Sequence, residues 1–65
     1  MTVTMTLENL IKLAQEDLDN NFYDVRDLYT EHYPGAPINN GAMVAFILDQ
    51  FKQNLEQKGI TLKVI

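Results

Sequence analysis

Carboxylates are the side chains of this 65-residue chain best placed to do chemistry, and they are crowded into one half of it. Residues 1–33 hold Glu8, Glu16, Asp17, Asp19, Asp24, Asp27 and Glu31 against Lys12 and Arg26, a net charge of −5. Residues 34–65 carry +1, so the chain totals −4. The run DLDNNFYDVRDL, residues 17–28, imitates a calcium loop at Asp17, Asp19 and Asn21. It lacks that loop's turn glycine, where Phe22 stands, and its bidentate glutamate, where Leu28 stands. Asp24, Asp27 and Glu31 share one helical face and could in principle act as paired acids. Such a pair needs desolvation to separate its pKa values, and a carboxylate row on a surface helix is usually solvated.

Other chemistries lack their parts. His32 is the sole histidine, whereas zinc takes three or four ligands. Cysteine and serine are absent, and none of the five threonines has a plausible base beside it. The glycine- and proline-rich run YPGAPINNGAM, residues 33–43, has no lysine or hydroxyl residue between Tyr33 and Ala45. That excludes a Walker-type phosphate loop. It reads as a corner between helices: Pro34 ends one, and Asn39 or Asn40 caps the next. A non-enzymatic protein without metal or cofactor is therefore expected.

The elements that position these residues emerge from periodicity. Val3 and Met5 alternate with Thr2, Thr4 and Thr6, which predicts a short strand, and Thr6 can cap a helix beginning at Leu7. Leu7, Ile11, Ala14, Leu18, Phe22, Val25 and Tyr29 then step by three or four along one helical face, widened by Leu10 and Leu28. Because that stripe stays in phase, one helix is expected from Leu7 to about Tyr33, straight or mildly bent. Asp19-Asn20-Asn21 is its weak point, and a break into two helices is the alternative. A second helix is expected over Gly41 to Lys58, with Val44, Ile47, Leu48, Phe51 and Leu55 facing the core and Met43 and Phe46 off that face. GAMVAFIL is apolar nearly all round, which implies burial on more than one side. Gly59 stops the helix, and ITLKVI alternates as a second strand.

The order is β-α-α-β in a single α+β domain spanning residues 1–65. A helical hairpin would bring the two terminal strands together, antiparallel. Two strands are marginal alone, their free edges invite another chain, and a core this short is thin. A homodimer is expected, with Val3, Met5, Met43, Phe46, Leu62 and Val64 at its interface. No apolar run is long enough to cross a membrane. MTVTMTLENL lacks the basic start and apolar centre of a secretory signal, so a cytoplasmic setting is expected.

TVTMTLENLIKLA, with NNGAMVAFILDQF further along, resembles the strand and helices of ribbon-helix-helix repressors. That resemblance covers about half the chain and implies a dimer that reads DNA with Thr2, Thr4 and Thr6. The chain departs from the pattern in three places. Its strand lacks the basic or amide residues common there, the stretch before the last helix is longer, and a second strand is added at the end. The acidic charge also opposes phosphate binding, so nucleic acid is disfavoured as a partner. The stronger expectation is an adaptor or inhibitor meeting a basic protein surface through Asp17, Tyr23, Asp24, Asp27 and Glu31. A structural role, with strand edges joining subunits, is the remaining alternative.

Overall fold

The computed structural model describes residues 1–65. Strand β1 (Thr2–Met5) leads through Thr6 into α1 (Leu7–Asn20). Helix α2 (Phe22–His32) comes directly after it. Beyond the corner lie α3 (Asn40–Gln57) and β2 (Thr61–Val64). This is the small α+β domain expected, with the first helix of the β-α-α-β pattern divided in two.

The division falls at Asn21, whose φ of −131° and ψ of 38° leave the helical region. Its backbone N–H still donates to the Asp17 carbonyl at 2.9 Å, and its side-chain amide donates to the Asp17 carboxylate at 3.1 Å. Short polar side chains that bond to nearby groups in this way compete with helix continuation. The Asn21 carbonyl then accepts from the Val25 N–H at 3.0 Å and starts α2. The continuous helix is thus corrected to two. A break of one residue barely disturbs the phase of the apolar stripe, which is why periodicity passed over it.

The caps form where the residue types put them. Thr6 Oγ1 accepts from the Asn9 N–H at 3.1 Å, and Asn39 Oδ1 accepts from the Ala42 N–H at 2.8 Å. Gly59, at φ 78°, turns the chain out of α3 in a conformation that other residues adopt at a cost.

The strands pair in parallel, Thr2 opposite Thr61 and Met5 opposite Val64, which corrects the antiparallel expectation. The reason is the length of α3. Asn40, at the start of α3, exchanges amide hydrogen bonds of 2.8 and 3.0 Å with Gln15 in the second half of α1. Farther along, Leu48 lines the same hollow as Leu10 near the start of α1, so the two helices run antiparallel. With 18 residues α3 is about 27 Å long, against about 21 Å for the 14 residues of α1. It overruns the start of α1 and continues beside the strands, where Lys52 shares a hollow with Leu62 and Val64. The chain must then turn back, and β2 travels the same way as β1.

The ladder is tied by Thr61 N–H to the Met1 carbonyl at 2.9 Å, Ile65 N–H to Met5 at 3.0 Å and Leu7 N–H to Ile65 at 3.1 Å. Odd-numbered residues of β1 therefore face β2. By the alternation of a strand, the backbone groups of Thr2 and Thr4 point to the open edge.

The core is small. Ala14, Leu18, Val25, Tyr29, Met43, Val44 and Phe46 form one buried cluster. Tyr29 packs edge-on to Phe46 with ring centres 5.7 Å apart, and its hydroxyl donates to the Pro37 carbonyl at 3.2 Å. Val44, Ile47 and Leu48 of the expected core face of α3 pack as predicted, but the face is wider and shifted. Met43 and Phe46 are buried, while Phe51 is 38% exposed. The bend at Asn21 is the cause, because it lets α2 cover the Phe46 side of α3 while α1 covers the Leu48 side.

Leu18 is the most enclosed side chain of the core. Leu18→Ala is expected to cost about 2–5 kcal/mol, comparable to the roughly 3–5 kcal/mol that a domain of this size commonly has. The variant should be largely unfolded by circular dichroism without denaturant.

Candidate functional site

The corner at residues 33–43 has no free polar groups converging on a ligand position. Its backbone closes through Ala36 N–H to the Tyr33 carbonyl at 3.1 Å, with Gly35 at φ 81°. Asn39 is occupied as a cap, Asn40 by Gln15, and the Pro37 carbonyl by Tyr29. The run is a joint between α2 and α3.

His32 belongs to the aromatic packing beside that joint. Its Nδ1 lies 3.0 Å from the Leu28 carbonyl, to which an Nδ1–H donates, and its ring centre is 5.3 Å from that of Phe46. Of the residues that imitate a calcium loop, Asp17 and Asp19 are in α1 and Asn21 is the break between the helices. Asp19 accepts from Gln15 at 3.1 Å, and Asp17 accepts from Asn21. No three acidic or histidine side chains are grouped closely enough to hold a metal ion.

The five residues expected to bind a partner are all exposed. Tyr23 and Asp27 are tied to Arg26, whose guanidinium carbon lies 5.2 Å from the Tyr23 ring centre and whose Nη2 is 3.6 Å from Asp27. Solvent screens so exposed an ion pair. Asp24 and Glu31 lie on the same face of α2 as Asp27, three residues before it and four after, and neither is paired with a cation. They flank Leu28 at the spacings that make helical neighbours, four residues before it and three after.

Asp17 lies at a feature that periodicity did not reveal. Two hollows of about 320 and 170 Å³ adjoin there and share Asp17, Ile47 and Phe51. They form one groove over α3, where α1 and α2 diverge. Leu13 stands on the α1 side and Leu28 on the α2 side, 48% and 41% exposed. Asp17 is the one charged residue in the lining, and no lysine, arginine or histidine contributes to it. The sequence held a signal in Leu13, an apolar residue off the core stripe of α1. That signal acquires meaning only once α3 supplies Phe51 opposite.

Of the expected dimer residues, Val3, Met5 and Leu62 are half-buried and Val64 is half-exposed on the helix-facing side of the sheet. Met43 and Phe46 are only 3% and 5% exposed within the single chain. They therefore offer no surface to a second copy, because α2 already covers them.

Comparison with protein-family models, with characterised proteins and with solved structures finds no match to this chain.

Phe51 contributes less to folding than its size would suggest. Full burial of such a ring stabilises by roughly 1.5–3 kcal/mol, and more than a third of this one meets solvent. Phe51→Ser is expected to cost roughly 1–2 kcal/mol in urea unfolding and to keep the native circular dichroism spectrum, unlike Leu18→Ala.

Proposed function

We propose that this protein is a small, acidic, non-enzymatic interaction module, an adaptor or inhibitor that meets a basic surface on another protein and works as a homodimer in the cytoplasm. The observation that carries this reading is the exposed acid set of α1 and α2. Asp17, Asp24, Asp27 and Glu31 all face solvent, and Arg26, the one cation paired with any of them, reaches only Asp27. A surface of one sign steers an oppositely charged partner into encounter and weakens as salt rises. The same charge works against a DNA-binding role, because phosphate contacts require cations. No helix is long and apolar enough to cross a membrane.

Two observations support the dimer. The chain exposes 4666 Å² where about 4,200 Å² is usual for its mass, and its radius of gyration is 12.3 Å where about 10.7 Å is usual. Strand β1, of sequence TVTM, has no lysine, proline or bulge to protect its open edge.

Capture of partners from nuclease-treated lysate of the source cell tests the acidic reading. The wild type should retain a stoichiometric partner that is released at roughly 0.5 M salt. The variant with Asp24, Asp27 and Glu31 changed to lysine should fail to retain it. Equal capture by that variant at low salt would sink the reading. The dimer has its own test in sedimentation equilibrium. Thr4→Pro removes an N–H from the open edge and leaves the bonds to β2 intact, so it should turn a dimeric wild type into a folded monomer. A wild type that is monomeric at all concentrations would rule the dimer out.

A further inference from the structure

We infer that the groove between α1 and α2 is a docking site for an amphipathic helix of another protein, with apolar anchors on one face and lysine or arginine along its flanks. This deepens the acidic-module reading and rests on it, since it names the surface and the shape of the partner segment.

Three features lead to this occupant. The lining is mainly apolar, with Gln50 and Asn54 of α3 as its neutral polar members, and Leu13, Leu28 and Phe51 are each more than a third exposed. Large side chains left half in water at the mouth of a concavity are what a partner's anchor residues bury. The groove walls are helices, whose backbone groups are bonded within themselves. An extended peptide laid there would find no strand edge, and its own N–H and C=O groups would lie unpaired against Leu13 and Phe51. A helical segment carries its backbone bonds with it and presents only side chains, at the i, i+3, i+4 and i+7 spacing that fits a groove.

Charge decides which helix. Asp17 lies in the groove and no cation lines it, while Asp24 and Glu31, outside the lining, are helical neighbours of Leu28 on α2. A second copy of this chain docked face to face would bring Asp17 and the acidic surface beside it against their own copies. An anionic lipid surface would be repelled in the same way. A helix with basic flanks places Lys or Arg opposite these acids while its apolar stripe covers Phe51 and Leu13. Such pairs at the rim add mainly rate and specificity, and the buried anchors add affinity.

The test uses the full chain and three synthetic peptides of about five helical turns. The first has leucines on one helical face and lysines on the other. The second has the same composition, scrambled so that no apolar face forms. The third keeps the pattern with glutamate in place of lysine. Titrations are monitored by two-dimensional amide NMR. The first peptide should bind saturably and shift the amide signals around Leu13, Asp17, Leu28, Ile47 and Phe51. The scrambled and acidic peptides should bind at least about tenfold more weakly. Phe51→Ser and, independently, Leu13→Ser should each weaken the first peptide by about tenfold while keeping native spectra.

Equal binding of the scrambled peptide, or shifts confined to the outer face around Tyr23 and Asp27, would overturn the groove as the site and leave the acidic reading standing. No saturable binding of either lysine peptide up to about 1 mM at low salt would overturn both.

Discussion

Every element but β1, which pairs with β2, packs on α3. Helices α1 and α2 pack against two different sides of it, and β2 packs against its last turns. This double burial rests on the bend at Asn21, which turns α2 away from the line of α1 and onto Phe46. A straight helix from Leu7 to Tyr33 could cover one side of α3 but not both, and Met43 and Phe46 would then face water. The buried cluster has members from all three helices, so neither the bend nor the packing of α3 exists without the other.

The same bend opens the groove. Two helices that diverge from a joint over a third leave a wedge between them, and side chains at its mouth are covered on one side only. Ile47 and Phe51 lie beneath that wedge, Leu13 and Leu28 on its two walls. The apolar surface there is a geometric consequence of building a core from three short helices. Its acidic border comes from α1 and α2, where Asp17, Asp24 and Glu31 fall beside the apolar residues. A chain this small has few side chains to close such a wedge, and its surface exceeds the usual value for its mass.

Charge and shape therefore divide the surface into regions with different uses. The acids concentrate on α1 and α2. The strand edge of β1 is free of charged side chains, and the joint between α2 and α3 uses its own polar groups. Arg26 quiets one part of the acidic face, around Tyr23 and Asp27, and leaves the part beside Leu28 without a cation. Like charge opposes self-association through the groove and does not oppose it at the β1 edge.

Local chemistry alone determined much of this protein. The strand at Thr2–Met5, the cap at Thr6, a cap at Asn39 or Asn40, the stop at Gly59 and the acidic bias of the first half are all legible, because each depends on residues within a few positions of one another. The bend at Asn21 was visible only as an alternative, since a break of one residue leaves the 3.6-residue phase almost unchanged. The parallel pairing of the strands, the burial of Met43 and Phe46, and the groove around Phe51 were decided by tertiary structure. Each depends on how far α3 runs past α1 and which of its sides α2 covers. Those are distances between elements, and periodicity within a single element carries no information about them.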